Sequence, residues 1–194
     1  MPSIITRIIK LITKIFKFFL NKFNLVIINK NKLIVELTKE DEKLISLVSK
    51  YSMTPKIRIY NLLQSLKDLE QRNVQGDYVE CGVWKGGNIL LYKKFMEDKK
   101  NIKKKIYAYD TFEGMTDPDE NDLIIRTSEK AKDLLSKSEK TSNIKGICKL
   151  DDVKKYISTH SDLDNIIFVK GDVENTLDVE ENLPEKICLL RLDT

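Results

Sequence analysis

The residues with the clearest chemical potential are Glu80, Gly82, Gly86 and Gly87, set in the run Tyr78-Val79-Glu80-Cys81-Gly82-Val83-Trp84-Lys85-Gly86-Gly87. An apolar run meets an acid and then three glycines, just where a helix from Asn88 to Glu97 is expected. Glycines let a backbone come close to a ligand. The first amides of a helix have no partner within it and stand at the positive end of its dipole, so such a loop suits a carboxylate or phosphate. The spacing is G-x-x-x-G-G and not the dinucleotide fingerprint G-x-G-x-x-G, and Trp84 disfavours a pyrophosphate cradle. Glu80, two residues before the first glycine, suits a cofactor with a cationic group such as an amino-acid ammonium. S-adenosylmethionine fits that description. Taken alone, the loop also reads as an ordinary strand-turn-helix corner.

These groups need a sheet edge to hold them, and three further apolar runs supply one. Lys105 to Asp110 reads as a second strand ending in an acid and followed by Thr111-Phe112-Glu113-Gly114. Ile166 to Lys170 runs into Gly171-Asp172-Val173, and Lys186 to Leu192 ends at Asp193. In open parallel sheets ligands sit beyond the carboxyl ends of the strands, where an acid closing the second strand can accept from both ribose hydroxyls; Asp110 is that acid. Helical or long segments separate the four runs and require crossover connections, which predicts parallel neighbours in the order 3-2-1-4.

Four motifs in this order, ECGVWKGG, YDTFEG, KGDVENTL and LLRLDT, resemble the macrocin O-methyltransferase (TylF/MycF-like) family, and the similarity runs from about residue 53 to 194. The resemblance implies an α/β fold: a Rossmann-like parallel sheet of the class I methyltransferases, here its first four strands, preceded by N-terminal helices. It further implies an S-adenosylmethionine-dependent, Mg²⁺-assisted O-methyltransferase acting on a hydroxyl of a sugar-containing, polysaccharide or natural-product acceptor. By this likeness Glu80, Cys81, Gly82, Val83, Trp84, Gly86 and Gly87 hold the methionine part, Asp110 the ribose and Gly171, Asp172 and Val173 the adenine side. Asn88, Thr111 and Phe112 complete the cofactor-binding set, and Asp193 is the implied metal ligand. In the family the Asp193 motif continues into further acids and strands, whereas this sequence reaches Thr194. The expectation is therefore a truncated form of a longer enzyme with an incomplete Mg²⁺ site, inactive by itself. The alternative is a non-catalytic fragment that binds cofactor or docks on a membrane. No general base is assigned: His160, the single histidine, falls in the helical pattern Asp151 to His160 and reads as a surface residue.

Composition agrees with a soluble α/β chain: 41% hydrophobic, 33% charged, seven glycines and four prolines argue against disordered or fibrous classes. Cys81, Cys148 and Cys188 are odd in number and two lie in expected strands, which speaks against a disulfide framework and for a reducing cytoplasm. The organisation expected is a basic appendage over 1–35, lead-in helices over 36–76 and the cofactor domain over 77–194, with a lid-like insertion at 115–150 that includes a polar helical stretch near Ser128 to Lys137. Thr38, three residues before Asp41, predicts a helix running to about Lys50, and Thr54-Pro55 predicts another, with Thr54 as cap and Pro55 at the first helical position. Ile59, Leu62, Leu63, Leu66 and Leu69 form the second helix's apolar stripe. Met53 and Thr54 approach the cofactor by family analogy. Lys93 to Lys105 holds seven lysines, but they surround a helix end without interleaved aromatics, so nucleic acid is not the expected partner.

From Ile4 to Ile28 the chain is dense in Ile, Leu, Phe and Val, while Arg7, Lys10, Lys14 and Lys17 recur every three or four residues on one helical face. Burying those four cations in a bilayer costs roughly 2.5–3.5 kcal/mol each, so a spanning helix is disfavoured. No small-residue cleavage site follows, against a secretory signal. Two readings remain for residues 4–28: a peripheral contact with the anionic inner face of a membrane, and packing on a partner subunit in a homo-oligomer. Leu33 to Val35 reads as a short strand.

Overall fold

The structure, a computed structural model, describes residues 37–99, 103–115, 118, 121–123, 125–133 and 146–193, together with 12–14, 16, 19, 20, 22 and 23. Two compact units divide between Glu36 and Leu37. In the first, the described residues from 12 to 22 are helical. The rest of the expected amphipathic helix, and the short strand at Leu33 to Val35, lie outside the described residues.

In the second unit, Thr38 starts helix α1 (Lys39–Val48), its hydroxyl oxygen accepting from the Asp41 amide at 3.1 Å. Glu40, Asp41 and Glu42 fill the first turn, where negative charge suits the dipole. Ile45 and Val48 are buried, and a 3₁₀ turn follows at Ser49–Tyr51. Helix α2 (Lys56–Gln71) buries Ile59, Leu63 and Leu66, with Leu62 and Leu69 half-buried beside them. Its start corrects the expectation for Thr54. Pro55, with ψ 145°, is the cap residue and makes no side-chain cap bond. Thr54 is thus one residue too early to reach the helix amides, and its hydroxyl accepts from Arg191 Nη2 at 3.1 Å instead.

The sheet consists of β1 (Asp77–Cys81), β2 (Ile106–Asp110), β3 (Ile166–Lys170) and β4 (Ile187–Leu192), all parallel in the order β3-β2-β1-β4, as the run spacing predicts. Alternation along the strands sends Val79, Cys81, Tyr107, Tyr109 and Val169 into one buried cluster. On the other face, Tyr78 stacks near Tyr92 of helix α3 (Gly87–Lys99), ring centroids 5.5 Å apart. Helix α4 (Leu150–Ser158) precedes β3, and the short helix α5 (Val173–Thr176) follows it. Among the described residues β3 and β4 are the sheet edges, and β4 leaves Ile187, Leu190 and Leu192 exposed.

Three backbone bonds continue the ladder past the strand ends: Gly82 N to Tyr109 O, Gly171 N to Asp110 O and Asp193 N to Cys81 O, each 2.9–3.0 Å. Four loops therefore open along one edge. Two of the clustered lysines act as internal ties. Lys93, 5% exposed, donates to Asp162 Oδ1 at 2.6 Å and to the Asp164 carbonyl at 2.9 Å; Lys104 donates to the Val74 and Gly76 carbonyls, both at 2.8 Å. Of the insertion, the described part holds a Leu123–Lys130 antiparallel bridge and a helical turn at 131–133.

Gly87 opens α3 directly against the 48–52 segment. A Cβ there would lie 2.7 Å from the Val48 and Tyr51 carbonyl oxygens and from Ser52 Cβ. Backbone atoms do not yield cheaply, so Gly87→Ala is expected to destabilise by roughly 1–3 kcal/mol, as overpacking does. Denaturant unfolding of the full chain checks this; a stability equal to or above the parent's would contradict the close approach.

Candidate functional site

The four loops beyond the strand ends surround a cavity of about 560 Å³. Glu80, Gly82, Val83, Trp84 and Asn88 line it from β1 and α3, Asp110 and Thr111 from the end of β2, and Gly171, Asp172 and Val173 from the end of β3. Asp193 lines it beyond β4. Four of the expected residues lie elsewhere. Cys81 is in the buried cluster under the sheet, and Phe112 is buried edge-on to Phe168. Gly86 and Gly87 face helix packing: a Cβ on Gly86 would meet Val153 and Ile157 of α4, and one on Gly87 the 48–52 segment. These two glycines bring helices together, and Gly82, at φ +90°, is the glycine of the loop that faces the cavity.

Glu80 is the electrostatic centre. Its carboxylate is 1% exposed; Oε1 accepts from Asn88 Nδ2 at 2.9 Å and from Arg191 Nη1 at 2.8 Å, while Oε2 is buried and makes no hydrogen bond of ordinary geometry, although the Tyr92 hydroxyl, itself buried without a well-formed partner, is close enough to act on the carboxylate. Burial pushes its pKa up to about 7; the Arg191 guanidinium, the Asn88 amide and the Tyr92 hydroxyl pull the other way. The parallel register sets Glu80 directly opposite Arg191, which explains the pairing. Arg191 also donates to Asp193 Oδ2 at 2.7 Å and to Thr54, so one guanidinium ties β1, β4 and the residue ahead of α2. Asn88 Oδ1 is likewise buried without a partner.

Asp110 does more, and differently, than expected. Its Oδ2 accepts from the Val83 and Trp84 amides at 2.6 and 3.0 Å, and Oδ1 from the Phe112 amide at 2.7 Å. A carboxylate has about four acceptor sites, and three of them are taken here by internal donors. Its main work is to staple the β1 and β2 loops. Those loops hold Trp84 and Phe112 at φ 50° and 54°, a conformation that bulky residues adopt only when their surroundings fix it. Trp84 Nε1 is buried in the site without a partner. Across the cavity, Asp172 caps α5 by accepting from the Glu174 amide at 3.1 Å.

Sequence reasoning missed Arg191, Tyr109 and Ser52 as cavity residues. For Arg191 a signal existed: a guanidinium inside an apolar strand requires a carboxylate partner. Met53 and Thr54 do line the cavity, and Gly146 returns the insertion to it. His160 is off the cavity and half-buried, not a bare surface residue; Nε2 lies 3.0 Å from the Tyr51 hydroxyl, in a group of rings with Tyr156.

The residues present fit one implied cofactor and not the other. A buried carboxylate oxygen that makes no hydrogen bond of ordinary geometry, beside a helix start and a glycine loop, suits the ammonium and carboxylate of an amino-acid moiety. For Mg²⁺, Asp193 is already held by Arg191, and among the described residues no group of three or more His, Cys, Asp or Glu side chains could hold a metal ion. By themselves the described residues do not make a magnesium site.

A parallel sheet in this order, with its ligand cavity beyond the strand ends, is an α/β fold of the Rossmann-like methyltransferase type. The chain belongs to the macrocin-O-methyltransferase (TylF) family, which it matches over residues 14–194. Over 64 residues it is 33% identical to demethyldecarbamoylnovobiocin O-methyltransferase of Streptomyces niveus, a match that covers 33% of this chain and 24% of that protein. The structure of the O-methyltransferase NovP is similar at a TM-score of 0.59 and 24% identity, over 74% of this chain and 55% of that one. A calicheamicin methyltransferase aligns at a TM-score of 0.46 and 18% identity, over 87% and 74%. The chain thus spans little more than half the length of NovP. S-adenosylmethionine is the usual cofactor of such methyltransferases.

Proposed function

We propose that this chain carries the cofactor-binding part of an S-adenosylmethionine-dependent O-methyltransferase whose acceptor is a hydroxyl of a sugar-containing natural product or polysaccharide. The observation that carries the reading is Glu80: a fully buried carboxylate, lining the cavity at the end of β1, with one oxygen that makes no hydrogen bond of ordinary geometry. Glu80 would hold the ammonium of the methionine part, with Asn88 Oδ1 as a second acceptor. Asp110 would accept from a ribose hydroxyl, and Gly171 to Val173 form the opposite bank for the base. When bound, S-adenosylmethionine supplies an activated methyl group that a hydroxyl oxygen takes by in-line displacement. The acceptor class follows from the family and from the novobiocin precursor that the Streptomyces relative is named for.

Calorimetry of the full chain with S-adenosylmethionine, S-adenosylhomocysteine and NAD separates this reading from a Rossmann oxidoreductase. Saturable binding of the first two and none of NAD is expected. Binding of NAD at comparable strength would sink the proposal.

A further inference from the structure

The first 35 residues contain seven Lys and Arg side chains and no carboxylate side chain, the first acid being Glu36; with a whole-chain charge of +4, the remainder is net acidic. Among the described residues of this unit, Ile12, Phe16, Phe19 and Phe23 are 60%, 56%, 55% and 68% exposed. Their spacing of four, three and four residues, at about 100° per residue, gathers them within an arc of roughly 60° on one side of a helix. By the same spacing Lys14 falls on the opposite side, and the sequence repeats a cation at Arg7, Lys10 and Lys17 at intervals of three or four. A row of large apolar side chains more than half exposed is a surface that water does not favour.

The charge decides among occupants. A second copy would set seven cations against seven. A nucleic acid would neutralise the cations but leave the phenylalanine row on the far side uncovered. No helix among the described residues is long and apolar enough to cross a membrane. An anionic bilayer surface meets both faces at once, with phenylalanines at the acyl boundary and ammonium groups among the head groups. We propose that the segment 4–28 is an interfacial anchor that docks this chain on anionic lipid. The proposal does not rest on the methyl-transfer reading, since the cavity lies wholly in the second unit.

The test is cosedimentation of the full chain with vesicles of phosphatidylcholine alone and with about one third phosphatidylglycerol. Binding at least tenfold stronger to the anionic vesicles and weakened by salt is expected, because each cation near such a surface contributes roughly fivefold. Lys14→Glu with Lys22→Glu should weaken it more than tenfold, and Phe16→Ser with Phe23→Ser about tenfold, with the thermal unfolding of the second unit unchanged. Equal binding to both vesicle types overturns the proposal. So does undiminished binding by the phenylalanine pair, or a dimer that both pairs of substitutions dissociate without any binding to vesicles.

Discussion

Arg191→Met is expected to destabilise the chain by about 3–5 kcal/mol at pH 8, the usual cost of removing one partner from a buried ion pair. Glu80 is 1% exposed, and without the guanidinium its Oε1 keeps only the Asn88 amide. The substitution also frees Asp193 and removes the donor to Thr54, so β4 and the start of α2 lose their shared tie. The penalty should shrink at pH 5. There Glu80 is protonated in the folded state, its pKa being raised to about 7, and no uncompensated charge is left behind. Urea unfolding at both pH values measures the difference; equal losses at pH 5 and pH 8 would mean that the pair matters for packing and not for charge.

Glu80→Gln is expected to weaken S-adenosylmethionine binding by roughly ten- to a hundredfold, the 1.5–3 kcal/mol of a hydrogen bond to a charged group. Glutamine keeps the carbonyl oxygen that Asn88 and Arg191 use, but it places an amide donor where Oε2 would meet an ammonium. Glu80 also sets two opposite pH slopes in the parent. Its folded pKa of about 7 lies above the ordinary value of 4.5, so the folded state holds the proton more tightly. The stability this contributes is complete below about pH 4.5 and is lost as pH rises to about 7. Binding of an ammonium needs the ionised carboxylate, so affinity should rise over the same window. Both slopes should flatten in Glu80→Gln. Parallel slopes, or slopes that survive the substitution, would point to another group.

Much of this was legible because the sheet is written in coarse features. Four apolar runs separated by long segments leave parallel crossovers as the available connection, and each run ends in an acid or a glycine turn that the ladder brings to one edge. What was less legible depends on partners distant in sequence. Gly86 and Gly87 read as ligand glycines, yet the residues that crowd them come from α4 and from 48–52. Asp110 read as a ribose ligand, but its three amide donors belong to loops whose approach only the fold reveals. Arg191 read as part of a strand because its partner Glu80 lies 111 residues away, and register alone brings them together. Thr54 and Pro55 show a local limit. The dipeptide marks a helix start, but whether Thr or Pro is the cap depends on a single backbone angle.

The most direct test of the account is calorimetric titration of the full chain with S-adenosylmethionine at pH 6, run in two buffers of different ionisation enthalpy. At that pH Glu80 is mostly protonated when the cavity is free and must ionise to hold an ammonium. Release of close to one proton per cofactor bound is expected at pH 6 and should fall to near zero in Glu80→Gln, whereas at pH 8, where Glu80 is already ionised and about half of the free cofactor amine must gain a proton to bind as ammonium, both proteins should show a net uptake. Binding without proton release at pH 6, or no binding at all, would contradict the assignment of Glu80 as the ammonium ligand and of this cavity as the cofactor site.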